Sequence, residues 1–155
     1  MTVFEKNKEP GGMVVYGIPS FVMEKNIVQA EIDVLRAMGV EIKCGVEVGK
    51  DITIAQLREQ GYKAFYVAVG CQGGRKTGVA GEDAKGVMTG VELLHITTDD
   101  ESYKLTGDTV VIGGGNVAID VSRTSIRCGS HKVSQVSLET RDIMPALPEA
   151  VSYTH

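Results

Sequence analysis

The stretch Val110-Val-Ile-Gly-Gly-Gly-Asn-Val-Ala-Ile-Asp120 decides how this chain folds. The run Thr109–Ile112 predicts a strand, the glycines at 113–115 a tight turn, and Asn116–Cys128 a helix that Gly129 ends. Lys132–Leu138 predicts a second strand, so strand, glycine turn, helix and strand together open a βαβ unit. Gly113-x-Gly115-x-x-Ala118 is a variant of the fingerprint by which such units hold dinucleotides. Gly113 lets the strand turn sharply into the helix, Gly115 lets a pyrophosphate approach the backbone, and Ala118 lets the helix pack closely on the strands. Gly114, Asn116 and Val117 complete the turn, where unpaired N–H groups and the positive end of the helix dipole face the phosphates.

Downstream, Glu139 follows Ala118 by 21 residues, close to the spacing of about 20 at which a carboxylate accepts from a ribose 2′-hydroxyl. The same charge repels a 2′-phosphate, so Glu139 favours NAD over NADP, and nearby Arg141 leaves room for the opposite preference. Pro145 and Pro148 follow.

Upstream, Asp99–Asp108 is polar and marks the best boundary or hinge. Thr89–Thr97 predicts a short helix, and residues 70–88, rich in glycine and charge, a loop. Lys63–Val69 contains Ala-Phe-Tyr-Val-Ala-Val before Gly70 and predicts a buried strand. Thr53-Ile-Ala-Gln56 fits a capping box for a short helix to Gln60, closed by Gly61. Val40–Cys44 and Val46–Val48 predict short strands. Between Glu24 and Met38, Ile27, Val28, Ile32, Val34, Leu35 and Met38 share one helical face, with Gly39 as stop. Residues 1–5 predict a strand and Lys6–Gly12 a turn. Strands alternating with helices make this an α/β chain of Rossmann-like parallel sheet layers.

Composition narrows the function classes. At 155 residues, 43% hydrophobic, 23% charged and net −4, with no run of Lys or Arg, the chain suggests neither nucleic acid nor a membrane surface as partner. No apolar run approaches the roughly 20 residues of a membrane span, and a cytoplasmic location is expected. Cys44, Cys71 and Cys128 have no metal-ligand spacing, so neither a zinc site nor an iron–sulfur cluster is expected. Of these thiols, Cys71 follows Gly70 at an expected strand end, and with no base or second cysteine beside it, it is given a passive role. His95 and His131 show no partner pattern, Asp99-Asp-Glu101 reads as a solvated linker, Ser20 and Ser122 lack a nucleophile elbow, and His155 is expected to be disordered. No catalytic acid or base is assigned.

Val3-Phe-Glu-Lys6, Pro10-Gly-Gly12, Tyr16-Gly-Ile-Pro19, Glu31-Ile-Asp-Val-Leu35, Gly39-Val-Glu-Ile42, Gly70-Cys-Gln72, Gly81-Glu-Asp83, the glycine turn through Asp120, and Arg141-Asp-Ile-Met-Pro-Ala146 occur in one order along the chain. In that order and spacing they resemble the small (β) subunit of glutamate synthase and its relatives, flavin-dependent oxidoreductases with two dinucleotide domains. The resemblance implies a partial FAD-type segment over residues 1–100 and a partial NAD(P)-binding segment over 101–155. It implies that Glu5, with Lys6, holds the adenosine ribose of FAD, that Gly11 and Gly12 approach the flavin side, and that Gly70 touches FAD. Gly113, Gly115 and Ala118 resemble the family's pyrophosphate turn for the nicotinamide dinucleotide. The family's first FAD turn and its cluster cysteines have no counterpart here, so the resemblance implies an internal segment of a larger enzyme. Where the family often carries paired arginines this chain has Leu138-Glu139, and Ser152-Tyr-Thr-His155 stands where an acidic helix is expected.

The activity implied is transfer of a hydride from nicotinamide to flavin, with electrons passed on to a large partner subunit. Two other readings stand beside it: a non-catalytic NAD(H)-binding module, and an inactive remnant that covers its open sheet edges by homodimerisation.

Overall fold

A computed structural model describes residues 1–152 of the chain, so the expectation for His155 falls outside the described residues. The chain forms two compact units, one of Met1–Tyr16 with Ser20–Gln72, the other of Gly17–Pro19 with the chain from Gly73 onward. Each is built on a two-stranded parallel sheet, in keeping with the α/β, Rossmann-like class.

In the first unit, β1 (Thr2–Glu5) leads through α1 (Gly12–Tyr16) and α2 (Lys25–Ala37) to β2 (Glu41–Cys44). The strands pair in parallel with Thr2 opposite Glu41 and Glu5 opposite Cys44. The short helix α1 was not legible in the glycine-rich turn. It begins at Gly12, and a side chain on Gly11, whose φ is +123°, would collide with Val15. Helix α2 ends as read, with Gly39 at φ +87°. Its apolar face is wider than anything in this unit can cover: Ile32 is buried, while Ile27, Val34, Leu35 and Met38 are exposed.

Helix α3 (Ile54–Glu59) starts at the expected capping box. The Gln56 N–H donates to Thr53 Oγ1 at 3.2 Å, and the Thr53 N–H donates to Gln56 Oε1 at 2.9 Å. Thr53→Ala is expected to cost about 1 kcal/mol, read as a lower urea midpoint at unchanged slope.

Two expected strands are absent. Val46–Val48 supplies only a single bridge, Val48 to Ile52, because Gly45 and Gly49 on either side adopt φ values of +72° and +103°. Lys63–Val69 forms no ladder either. Tyr62 closes on β1, its ring edge-on to Phe4 at 5.9 Å and its hydroxyl donating to Thr2 Oγ1 at 3.0 Å. Beyond it the chain has no strand partner, and Tyr66, Val67 and Val69 are 94%, 73% and 78% exposed. β-propensity describes side chains that suit a sheet surface; it does not provide the neighbouring edge that a ladder needs.

In the second unit, α4 (Gly90–Asp99) precedes β3 (Asp108–Ile112), α5 (Asn116–Arg127), β4 (Lys132–Val136) and α6 (Pro148–Ser152). Thr89 caps α4 in a second capping box with Glu92, and Asp99–Asp108 lies within this unit. Leu93 and Leu94 of α4 pack with Val111, Ala118 and Val121 to form the core. A side chain on Gly90 would stand 2.9 Å from a methyl of Val121, which is how the two helices come so close. β3 and β4 pair in parallel from Asp108–Lys132 to Ile112–Val136. β4 stops at Val136, two residues short of the expected Leu138, because its partner ends where the glycine turn begins; the Gly113 N–H donates the next bond to the Val136 carbonyl at 2.8 Å.

His95, read as unpartnered, has Asp99 one turn on, Nε2 to Oδ2 3.3 Å. Among the described residues no three His, Cys, Asp or Glu side chains are grouped to hold a metal ion, and no helix is long and apolar enough to cross a membrane.

Half-buried Asp120 on α5 has its carboxyl pushed above the ordinary value by burial, opposed by the Arg123 charge. The folded state therefore holds that proton more tightly than the unfolded chain, and folding is penalised as pH rises above the ordinary Asp range. Asp120→Asn is expected to raise the melting temperature at pH 7, with the gain vanishing once pH falls below that range.

Candidate functional site

The turn between β3 and α5 is held by the backbone of its neighbours and leaves one side open. Gly113 sits at φ +140°, a conformation L side chains rarely adopt, and a Cβ there would stand 3.4 Å from the Ala118 methyl. The backbone conformation requires glycine at 113, and the small residue at 118 lets helix and strand come close. Gln135 of β4 braces the turn by donating from Nε2 to the Gly113 carbonyl at 2.9 Å, and Ser122 of α5 donates to Gln135 Oε1 at 3.0 Å. Sequence reasoning missed this pair. β4 reads Lys-Val-Ser-Gln-Val, so a polar glutamine in it does not stand out as a signal.

Gly115 caps α5 with an extended backbone, φ −89° and ψ 174°, and a Cβ on it would meet nothing within 4 Å. Its carbonyl accepts from the Ala118 and Ile119 N–H groups at 2.9 and 3.2 Å. Among the described residues the N–H groups of Gly115, Asn116 and Val117 have no acceptor. Three donors without an acceptor at the positive end of a 12-residue helix, with open space where a Gly115 side chain would stand, are what a pyrophosphate requires. The residues fit that group.

The acid identified from spacing comes to the same turn. A Cβ on Gly114 would stand 3.3 Å from Glu139 Oε2 and 3.0 Å from the Ser137 Cβ. Ser137 shapes the approach, its hydroxyl donating to the Glu139 carbonyl at 2.6 Å. The chain then makes a turn at Thr140–Ile143, with Arg141 exposed on it. It folds back onto the glycine turn, with the Ala146 N–H donating to the Gly114 carbonyl at 2.9 Å and the Leu147 N–H to Asn116 Oδ1 at 2.7 Å. Gly113, Gly114, Gly115, Asn116, Val117, Ala118 and Glu139 therefore form one cluster. Arg141 lies on a strap whose two ends are fixed to it.

The first unit gathers a second set. Glu5, at the end of β1, accepts the Asn7 N–H at 2.9 Å; Asn7 Nδ2 reaches Gln72 Oε1 at 3.4 Å. Gln72 Nε2 would lie 3.9 Å from a Cβ on Gly12, whose φ is +52°. Glu5, Gly12 and the segment just after Gly70 are thus linked through Asn7 and Gln72. Gly70 has φ +66° with open space around it, and Lys6 and Cys71 are exposed. Asn7 had not been singled out, because an asparagine after a strand-end acid reads as ordinary turn chemistry.

No family model matches the chain. Among curated proteins it is 38% identical over 149 residues to the NADP(+)-dependent formate dehydrogenase subunit beta of Moorella thermoacetica, covering 94% of this chain and 21% of that one. It is 36% identical over 160 residues to the glutamate synthase (NADPH) small chain of Halomonas elongata, covering 97% of this chain and 34% of that one. The chain thus spans about a fifth to a third of the curated relatives it matches. Among solved structures, Mycobacterium tuberculosis FprA in complex with NADPH superposes over 97% of this chain and 39% of its own, with a TM-score of 0.77 and 25% identity. The resemblance read from the motifs therefore holds: the sequence is related, nearly end to end, to a segment of glutamate synthase small chains and related oxidoreductase subunits. These names carry NADP or NADPH and lend no support to the preference for NAD argued from Glu139.

Proposed function

We propose, from a chain related to a segment of the glutamate synthase small chain, that this segment holds a nicotinamide dinucleotide for a flavin-dependent oxidoreductase. The carrying observation is the Gly113–Ala118 turn, with three free N–H donors, open space at Gly115 and the Glu139 carboxylate over Gly114. Gly115, Asn116 and Val117 donate to the pyrophosphate, and the missing side chain of Gly115 lets it approach. Glu139 accepts from the adenosine ribose. Arg141 supplies a cation for a 2′-phosphate, so NADP(H) binds in the enzyme as a whole, and Glu139 alone would not exclude it.

In this reading the first unit serves the flavin, with Glu5 at the ribose and Gly11, Gly12 and Gly70 along the approach. Bound flavin would accept the nicotinamide hydride and release electrons singly or in pairs. The protein's part is to fix the two cofactors and shape their surroundings, and the electrons would go to a partner subunit. The test is the visible spectrum of the purified chain with added FAD, followed by anaerobic titration with NADPH. Saturable flavin absorbance that bleaches on NADPH supports the oxidoreductase reading. Dinucleotide binding without flavin binding would leave a nicotinamide-holding module.

A further inference from the structure

Between the end of β4 and the start of α6 the chain leaves the glycine turn and returns to it. At its start Glu139 lies over Gly114; at its end the Ala146 and Leu147 N–H groups bond back to the Gly114 carbonyl and to Asn116 Oδ1. Asn116 is the first residue of α5, yet its side chain is directed at Leu147, and at 2.7 Å this is a short, well-formed bond. Ala146 is buried. Arg141 sits near the start of this strap, two residues after Glu139, and no partner fixes its guanidinium among the described residues.

We infer that the Asn116–Leu147 hydrogen bond is a clip that sets the position of the Arg141 strap, making Asn116 a positioning residue for recognition of the 2′-phosphate. This deepens the reading of the turn as a nicotinamide-dinucleotide site and rests on it. The strap from Glu139 to Leu147 can place a cation at the ribose only if both ends are fixed, because a free loop must lose conformational entropy on each binding event. Its first end is fixed by β4. The second is fixed by two hydrogen bonds, of which the one from Leu147 ends on a side chain. The pyrophosphate is held by backbone N–H groups and does not need the clip, so releasing it separates the two ligands: NADPH loses the contact with Arg141, while NADH loses little.

The clip can be broken from either side. Asn116→Ala removes the acceptor, and Leu147→Pro removes the donor without touching the glycine turn. Each is expected to weaken NADPH binding about tenfold and NADH binding less than about twofold, from partial loss of a charge-assisted contact. Because both break one bond, the double variant should be no weaker than either single one. Amide hydrogen exchange at Ala146 should quicken in Asn116→Ala, an effect independent of ligand. A loss in Asn116→Ala that is equal for NADPH and NADH, with Leu147→Pro unchanged, would overturn the clip and place Asn116 on the pyrophosphate. Unchanged preference and unchanged exchange in both variants would also overturn it. A wild-type chain that binds neither dinucleotide would strike the functional reading itself.

Discussion

Gly115→Ala is expected to weaken nicotinamide-dinucleotide binding on the order of 100-fold while leaving the fold intact. Gly115 has φ −89° and open space where a Cβ would stand, so alanine meets no strain and no neighbour in the folded chain. A substitution of that kind shifts stability by no more than about 0.5 kcal/mol. The methyl would stand at the start of α5, beside the three N–H donors that a pyrophosphate must reach. Gly113→Val is the contrasting case. At φ +140°, with the Ala118 methyl 3.4 Å from its Cβ, valine is strained and crowded, and it should cost roughly 1–3 kcal/mol of stability as well as binding. Isothermal titration with NADPH, paired with chemical unfolding of each variant, separates the two effects. Equal loss of stability in both would mean the turn is a structural feature with no ligand role.

Arg141→Ala is expected to lower NADPH affinity roughly 10- to 100-fold with NADH affinity nearly unchanged, since a guanidinium–phosphate contact is bidentate and charge-assisted. Glu139→Ala should act in the opposite sense, weakening NADH by removing a ribose acceptor and improving NADPH by removing a like charge beside the 2′-phosphate. The NADPH effect of Arg141→Ala should shrink at high salt, because both partners lie at the surface. Both titrations therefore belong at one fixed ionic strength. If Arg141→Ala weakens the two dinucleotides alike, its role is general attraction and specificity lies elsewhere.

Much of this was legible because it is local. The Gly113–Ala118 turn, the Thr53 cap and the stops at Gly39, Gly61 and Gly129 each need only a few neighbouring residues to specify a backbone state. Glu139 was placed by spacing alone, and the fold brings its carboxylate over Gly114. What could not be read depends on partners distant in sequence. Ala64–Val69 has the composition of a strand but no edge beside it, so propensity pointed to a ladder that does not form. The apolar face of α2 predicted burial for Val34 and Leu35 that no element of its unit provides. Asn116 was read as a phosphate contact from its place in the fingerprint, and its bond to Leu147 crosses 31 residues. The braces from Gln135 and Ser122 are likewise products of helix–strand packing and leave no pattern in the sequence.

The most direct test of the central claim is a fluorescence titration of the wild-type chain and Gly115→Ala with NADPH and NADH, after circular dichroism has shown both to be equally folded. Saturable binding at one site is expected in the wild type, weakened on the order of 100-fold in Gly115→Ala at unchanged stability. A folded wild-type chain that binds neither dinucleotide, or binding indifferent to the added methyl, would contradict it.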